Sequence, residues 1–497
     1  MHGCFSDRSF SARRLRRAHA GVMLAASLAL AAASTVFLGG CATRETAAVE
    51  EDMDVPLPPG EHGLRKLSRE EYPDLSAAFA ARDDKFARAI GMSSQWFTTG
   101  TSKANYSSEQ MGPIAQVVSG HDQAAASVNA FKQLAETSTD AKAFQDAVYE
   151  QFDIWQTRGS NGKGKALITG YCSPEFKASA TRTETFRYPL YRRPIDLVTD
   201  TVTGEPLGRR NADGSLGQWG TRKELLESNQ LAGYELMWLS SAFEVYVCEV
   251  NGSAKLILPD NTVKYVGYAG KTGREYIGLG KSLVDAGVLT KRQRNLPSIK
   301  ALYARDPALV QQYIDKNENM VFFQMYDGKS WPSGSLGVPV TDFATVATDK
   351  KIFPRGLVML VDTQVADYAG RMKDFDRFML DQDTGGAIRA AGRADLYMGI
   401  GAAAEILSGN QYAQGTFYYF VLKPEFVSKY PQPGQGAQGT VATRRKRDIG
   451  DAKPMSAGAQ PNAATPSAAV APAPAPSQPP AAGGAAPEPA GGPAPKG

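Results

Sequence analysis

The chain has 497 residues, which is enough for two or three domains with substantial cores. Its formal charge of +4 comes from residues 1–40, which hold five Arg and one Asp, so the rest of the chain is balanced between acidic and basic side chains. A balanced body lacks the basic surface that nucleic-acid binding requires, so we expect no nucleic-acid partner.

Residues 1–40 predict a lipoprotein signal peptide. A charged cluster of Arg13, Arg14, Arg16 and Arg17 precedes an apolar run from Val22 to Phe37, which is too short and too rich in alanine for a good membrane span. The run ends in LGGC, which resembles a bacterial lipobox, so we expect Cys41 to be lipidated. The alternative is an ordinary signal peptide followed by an incidental cysteine. Ala42 favours sorting to the outer membrane, so the expected location is its periplasmic face, with the chain held by lipid.

Residues 41–70 continue as a lipidated anchor and an acidic, proline-containing tether. The next region, 71–174, begins with helices. Its clearest helical pattern lies in residues 141–156, where Phe144, Val148, Phe152 and Trp155 recur at helical spacing. Beyond residue 165 the pattern changes to short β-rich runs.

Residues 175–315 predict an inserted β domain. A hairpin is expected at 254–270 around Pro259-Asp260-Asn261, and a strand at 245–250, with helical interruptions at 281–289 and 299–315. Residues 316–430 form a further β-rich part. From 431 to 497 the chain has no aromatic residue and is dominated by Pro, Ala and Gly, which predicts a disordered tail.

Histidine and cysteine are scarce beyond residue 40. His62 falls in the tether and His121 in a polar helical stretch, so neither is well placed for a Ser-His-Asp or Cys-His device. Cys172 and Cys248 can form a disulfide in the periplasm or remain free buried thiols. We expect no metal and no cofactor, because zinc usually requires more His and Cys than this chain has.

Carboxylates remain as the source of chemistry. In RADLYMG, strand alternation puts Asp395 and Tyr397 on one face and Leu396 and Met398 in the core. A carboxyl in such a place can protonate a glycosidic oxygen if burial or a nearby like charge raises its pKa. Asp383 either approaches Asp395 as that second carboxylate or caps a turn through its side chain.

Several segments, in order, resemble the membrane-bound lytic murein transglycosylase A family. The resemblance is carried by LITGYCSPEFKASATRTETFRYPLYRRP at 167–194, YVGYAGKTGREYIGLGKSLVDAGVL at 265–289, NENMVFFQ at 317–324, VPVTDFATVATDKKIFPRG at 338–356 and QDTGGAIRAAGRADLYMGIG at 382–401. The last two resemble the three-aspartate domain found at that family's C-terminal end.

This resemblance implies a mainly β fold of two domains with a groove between them. A double-psi β-barrel would be built from residues 71–174, with the N-terminal helices, and from 316–430, while 175–315 would form the smaller inserted β domain. The resemblance makes Asp395 the catalytic acid, with Asp383 and Asp349 as supporting acids. Possible saccharide contacts are Tyr171, Tyr188, Asn251 and Lys271.

The implied reaction is lytic transglycosylation of peptidoglycan glycan strands. The bond between N-acetylmuramic acid and N-acetylglucosamine would be cleaved with one aspartate, leaving 1,6-anhydromuramoyl ends. Two alternatives stay open: a hydrolytic muramidase or other glycosidase that uses Asp383 with Asp395, and a non-catalytic peptidoglycan-binding lipoprotein. The expected partners are the glycan strands, the outer membrane through Cys41, and wall-synthesis proteins.

Overall fold

The structure, a computed structural model, describes Met53, Val55, Leu57, Pro58 and residues 61–431. The predicted signal peptide, its lipidation site Cys41 and the predicted tail from 432 onward lie outside the described residues. Within the described residues, no helix combines the length and the apolar character needed to cross a membrane.

The helices concentrate before residue 152 and between 222 and 314. The described α-helices are α1 Ser76–Ala80, α2 Asp84–Trp96, α3 Gly100–Asn105, α4 Ser108–Met111, α5 His121–Thr137, α6 Ala141–Gln151, α7 Arg222–Glu227, α8 Ala242–Asn251, α9 Leu279–Asp285, α10 Leu296–Arg305, α11 Pro307–Ile314 and α12 Gly401–Asn410.

The strands form one large sheet and three small ones. The described strands are β1 Leu64–Lys66, β2 Phe152–Thr157, β3 Ala166–Ser173, β4 Glu175–Lys177, β5 Tyr188–Tyr191, β6 Leu197–Thr199, β7 Pro206–Arg210, β8 Leu216–Gly217, β9 Glu235–Leu239, β10 Ser253–Ile257, β11 Val263–Lys271, β12 Val321–Tyr326, β13 Thr345–Ala347, β14 Val358–Ala366, β15 Met372–Asp383, β16 Arg393–Ile400 and β17 Tyr412–Leu422.

The large sheet has eight strands in the order β1-β2-β17-β14-β15-β13-β16-β3. A further antiparallel pairing joins β17 to β3, so the pairings of six strands run from β17 through β14, β15, β13, β16 and β3 back to β17. Two of these pairings are parallel, β13 with β15 and β16 with β3. This ring brings together strands from both ends of the described chain.

The small sheets all lie between residues 175 and 326. β12, β11, β10 and β4 form a four-stranded sheet, β5 pairs with β9, and β6, β7 and β8 form a third sheet. The predicted hairpin is confirmed, because β10 and β11 pair antiparallel from Ser253 with Gly267 to Ile257 with Val263. Asn261 in its turn has a φ of 64°, a conformation that Asn tolerates better than most residues.

The large sheet and the small sheets pack on separate apolar clusters. The largest joins the N-terminal helices to the large sheet, with Phe131 in contact with Phe144, Phe378 and Phe420 at ring-centroid distances of 4.9–5.5 Å. Smaller clusters lie beneath the four-stranded sheet and among α8 to α11. Burying apolar surface in this way is the main stabilising contribution to each region.

The fold is a mixture of helix and sheet. The expected N-terminal helices and the sheets are present, but five of the described helices, α7 to α11, lie between residues 222 and 314. Helix is therefore a larger part of the fold than a mainly β fold implies. The boundaries of the domains remain a prediction.

Two local predictions were wrong. The helix expected over 141–156 ends at Gln151, and residues 152–157 form β2, which pairs with β1 and β17. The strand expected over 245–250 is α8. The Ser241 hydroxyl accepts the backbone N–H of Glu244 at the start of α8, and Gly252 ends the helix in a left-handed conformation.

Candidate active site

Four neighbouring strands place acidic and hydroxyl side chains in one row. Ala347 on β13 pairs with Asp383 on β15 at one side and with Asp395 on β16 at the other. Asp395 pairs in turn with Thr169 on β3. Since neighbouring strands lie about 4.8 Å apart, the backbones at Asp383 and Asp395 are about 10 Å apart. We call these four residues the site row.

Asp395 has one carboxylate oxygen held and one open. Its Oδ1 accepts hydrogen bonds from the Thr169 hydroxyl and, at 3.2 Å, from the Arg393 guanidinium. Its Oδ2 accepts no hydrogen bond from any described residue. The Asp395 side chain is 16 % exposed, against 5 % for Arg393, so the open oxygen belongs to a carboxylate that solvent and ligands can reach. Such a group is available for proton transfer.

Asp383 is fully engaged by hydrogen bonds. Its Oδ2 accepts the Tyr171 hydroxyl at 2.7 Å, and its Oδ1 accepts the backbone N–H groups of Thr384 and Ser335 at 2.8 and 2.9 Å. Burial nevertheless raises the pKa of Asp383, and these donors only partly offset that effect. A Cβ at Gly334 would lie 2.7 Å from the Gln382 carbonyl, so glycine there permits the close approach that brings Ser335 to Asp383.

Asp349 lies outside the row and contacts the segment that enters β16. Its Oδ1 accepts the backbone N–H of Lys351 at 3.0 Å, and its Oδ2 accepts that of Ala390 at 3.2 Å. Ala390 has a φ of 73°, which is strained for a residue other than glycine. Asp349 therefore stabilises the strained residue three positions before the start of β16.

A buried charged cluster lies two residues from Asp383 on β15. Asp381 is fully buried and accepts hydrogen bonds from the Lys350 ammonium, from the Thr348 hydroxyl at 2.8 Å and from the Tyr419 hydroxyl at 2.6 Å. The Lys350 side chain is only 4 % exposed, and burial lowers the pKa of Lys350. A buried ion pair with this many hydrogen bonds costs more to break than an exposed one, so it holds the segment after β13 and strand β17 against β15.

Further contacts of the site were not anticipated from the sequence. Arg393 is two positions before Asp395 on the same strand, where alternation alone would have placed it on the same face. Tyr276, in the loop after β11, hydrogen-bonds Tyr246. Burial raises the pKa of Tyr276, and the nearby Asp395 charge adds to that rise. A Cβ at Gly386 would lie 3.9 Å from the Tyr276 ring. Tyr276 therefore faces the loop that follows Asp383.

A chain of buried hydroxyls joins the large sheet to the four-stranded sheet. The Ser173 hydroxyl on β3 lies 3.1 Å from the Tyr397 hydroxyl on β16 and 3.0 Å from the Ser253 hydroxyl on β10. The Tyr397 ring packs against that of Tyr171, with centroids 5.2 Å apart. Tyr397 does share the Asp395 face, as predicted, but it is buried and serves these contacts.

The four expected saccharide contacts make different contacts within the fold, and their binding role remains a prediction. Tyr171 adjoins the site row through Asp383. Tyr188 is on β5, partly buried against the cluster beneath the four-stranded sheet. Asn251 donates to a carbonyl of its own helix at 2.9 Å, and Lys271 pairs with Glu205 at 3.2 Å.

Cys172 and Cys248 are free and buried, so they do not form the disulfide that the sequence left open. Burial raises the pKa of Cys172 to about 11, which keeps its thiol protonated at neutral pH. Among the residues that the structure describes, no group of three or more His, Cys, Asp or Glu side chains is arranged to hold a metal ion.

Two family models match the chain. The model described as MltA specific insert domain matches residues 167–324, and the model described as 3D domain matches residues 344–421. The second match contains Asp349, Asp383 and Asp395.

Curated relatives carry the name membrane-bound lytic murein transglycosylase A or are named as its homolog. The protein from Vibrio cholerae is 29% identical over 271 residues, which cover 53% of this chain and 68% of the relative. The homolog from Buchnera aphidicola is 30% identical over 276 residues, which cover 54% of this chain and 69% of the relative.

Solved structures share the fold. The lytic murein transglycosylase from Agrobacterium tumefaciens matches with a TM-score of 0.59 and 22% identity, covering 74% of this chain and 99% of that one. The Escherichia coli MltA structure with bound chitohexaose matches with a TM-score of 0.52 and 22% identity, covering 76% of this chain and 97% of that one.

The sequence matches to these relatives define an enzyme that acts on peptidoglycan. More specifically, the chain belongs to the membrane-bound lytic murein transglycosylase A family. The name of its relatives is consistent with association with a membrane.

Proposed function

We propose that the chain is a lytic transglycosylase that cleaves the β-1,4 bond between N-acetylmuramic acid and N-acetylglucosamine, with Asp395 as its single acid and base. The observation that carries this proposal is the unequal use of the three aspartates. Both carboxylate oxygens of Asp383 and of Asp349 accept hydrogen bonds within the fold, whereas Oδ2 of Asp395 is open. A similar fold from Escherichia coli was solved with bound chitohexaose, which supports a saccharide ligand.

The proposed reaction has two proton transfers at one oxygen. Protonated Asp395 donates from Oδ2 to the glycosidic oxygen while the bond from that oxygen to C1 of the muramoyl residue breaks. The Asp395 carboxylate then takes the proton of the muramoyl C6 hydroxyl, whose oxygen bonds to C1 and closes the 1,6-anhydro ring. The proton returns to Asp395, and no water is consumed.

The neighbours of Asp395 suit this exchange. Thr169 and Arg393 hold Oδ1, so the carboxylate keeps one orientation while Oδ2 gains and loses the proton. A positioned acid and base of this kind contributes a factor of roughly 10²–10⁴ in rate. The attacking hydroxyl belongs to the substrate, and its proximity to C1 supplies much of the remaining acceleration.

The proposal assigns support roles to the other two aspartates. Asp349 would stabilise the segment that leads into β16, and Asp383 would position Tyr171 beside Tyr397. We further propose that the ring of six strands is the double-psi barrel. The matched insert domain would form one wall of the groove between the two domains. Lipid on Cys41 would hold the enzyme at the periplasmic face of the outer membrane.

The test is the mass of the muropeptides released from purified sacculi. We expect the wild-type enzyme to release anhydro products, which are one water lighter than reducing ends, and Asp395→Asn to lower that rate by about 10² or more. Asp374→Asn, an exposed aspartate on β15, is the matched control and should keep the wild-type rate.

Other outcomes identify the alternatives. Reducing ends that require both Asp395 and Asp383 would indicate hydrolysis. Anhydro products that persist in the folded Asp395→Asn variant would remove Asp395 from the reaction. Binding to sacculi without any release by the wild-type protein would indicate a non-catalytic role.

A further inference from the structure

An open groove of about 480 Å³ lies apart from the site row. Its lining residues fall between 192 and 325, and they include neither Asp395 nor Asp383. Fully buried Phe323 contributes to its floor, and Tyr268 and Met325, which are 41% and 42% exposed, offer apolar surface at its sides. The groove is therefore built by the small sheets alone.

Two arginines give this groove a positive charge. Arg193 donates to the carbonyls of Ala269 and Leu197, both at 2.8 Å, and to the Thr199 hydroxyl at 3.1 Å. A Cβ at Gly270, whose φ is 148°, would lie 2.8 Å from the Arg193 guanidinium, so glycine there lets that group lie against β11. Arg193 is thus fixed by neutral acceptors, which leave its charge in place.

Arg192 is exposed and lies beside Arg193. Its guanidinium donates once, to the Gly233 carbonyl at 2.6 Å. Within the described residues, neither arginine is within ion-pair distance of a carboxylate, unlike Lys271, which pairs with Glu205 at 3.2 Å. Two unneutralised guanidinium groups beside apolar surface favour a ligand that has both carboxylates and aliphatic side chains.

We propose that this groove binds the acidic stem peptide that branches from the glycan strand. This inference rests on the proposed function, because it supplies the substrate whose peptide is bound. The six peptide steps from Gly270, which lines the groove, to Tyr276 span at most about 20 Å, and the Tyr276 ring lies 3.9 Å from where a Cβ on Gly386 would be, in the loop that follows Asp383. An extended tetrapeptide reaches about 13 Å, so a peptide near the cleaved bond can extend toward the groove.

The test compares peptide-bearing glycan strands with the same strands stripped of peptide by an amidase. For each enzyme we divide kcat/KM on peptide-bearing strands by kcat/KM on stripped strands. Arg192→Ala should lower this ratio about tenfold, mainly through KM on peptide-bearing strands, as expected for the loss of one charge-assisted hydrogen bond. Arg192→Lys should retain most of the ratio, and Arg210→Ala, an exposed arginine on β7 outside the groove, should keep it unchanged.

Equal slowing on both substrates by Arg192→Ala would overturn the proposal, because the groove would then serve the glycan or the fold. An Arg192→Ala variant that keeps the wild-type rate on both substrates would overturn it as well. Calorimetric titration with a synthetic acidic stem tetrapeptide separates this proposal from the catalytic one. Binding weakened about tenfold by Arg192→Ala supports the groove even if the wild-type enzyme releases no anhydro product, and absence of binding to the wild-type enzyme contradicts it.

Discussion

Replacing Tyr171 with Phe separates two roles for this tyrosine. The sequence suggests a saccharide contact, whereas the structure shows its hydroxyl donating to Oδ2 of Asp383 at 2.7 Å. The other two donors, the N–H groups of Thr384 and Ser335, both bond Oδ1. Tyr171→Phe keeps the ring beside Tyr397 and leaves Oδ2 with no donor among the described residues.

The structure predicts a loss of stability. A hydrogen bond to a charged group contributes about 1.5–3 kcal/mol, so we expect the unfolding free energy of Tyr171→Phe to fall by about that amount at neutral pH. Burial already raises the pKa of Asp383 in the folded protein, and the Tyr171 hydroxyl opposes that rise. Removing the hydroxyl therefore raises the pKa of Asp383 further.

The pH dependence follows from that direction. When the pKa of a carboxyl is higher in the folded than in the unfolded state, the cost of ionising it in the fold is fully present above the folded pKa. The cost declines as pH falls through the folded pKa and is gone below the unfolded value of about 3.9. The stability difference between wild type and Tyr171→Phe should therefore narrow as pH falls.

Urea unfolding of both proteins at a series of pH values measures this difference, with KM on glycan strands measured in parallel. A difference that stays constant with pH would refute the linkage to Asp383. A raised KM with unchanged stability would instead support the saccharide contact.

Three further predictions concern single contacts. Thr169→Val removes a donor to the held oxygen of the proposed acid and an acceptor for Arg393, so kcat should fall about tenfold or more and the unfolding free energy by about 1.5–3 kcal/mol; an unchanged kcat in the folded variant would contradict its positioning role. Asp376→Asn should raise stability at neutral pH by up to about 1 kcal/mol, because burial and the facing Asp362 raise the pKa of Asp376; urea unfolding should show this gain shrinking as pH falls. Glu249→Leu leaves the buried Arg222 charge without its partner and should cost about 3–5 kcal/mol in urea unfolding, whereas adding Arg222→Met should recover most of that loss.

Local chemistry explains which elements could be predicted. The β10–β11 hairpin and β16 were accessible because their patterns are local: a Pro-Asp-Asn turn between apolar runs, and alternation around Asp395. α8 was missed because its β-branched residues outweighed a Ser241-to-Glu244 start and a glycine stop that were both visible in the sequence.

The end of α6 shows a different limit of prediction from the sequence. Phe152 and Trp155 continue the helical spacing of Phe144 and Val148, yet they belong to β2. Phe152 is buried in β2, and a continued helix would also place it on the apolar face with Phe144 and Val148, so the apolar pattern alone does not decide between them. The pairing of β2 with β17, more than 250 positions away, decides in favour of the strand.

The candidate site depends on such distant pairings even more strongly. Thr169 meets Asp395 only because β3 pairs in parallel with β16 at one register, and a slip of one residue would turn Thr169 to the opposite face. The same register sets the contact of Tyr171 with Asp383 and of Ser173 with Tyr397. None of these partners is signalled by sequence spacing, which is why Asp395 was singled out while Thr169 was not.

The three aspartates also differ in a way that residue type does not reveal. A carboxylate has two oxygens, and what it can do for a substrate depends on how many of them the fold already uses. Asp349 and Asp383 give both oxygens to backbone and tyrosine donors, so moving a proton at either would cost hydrogen bonds that hold loops in place. The fold leaves Oδ2 of Asp395 open while Thr169 and Arg393 keep Oδ1 fixed. A rigid support on one oxygen and an open second oxygen are what a group needs if it is to give a proton and then take one back without moving.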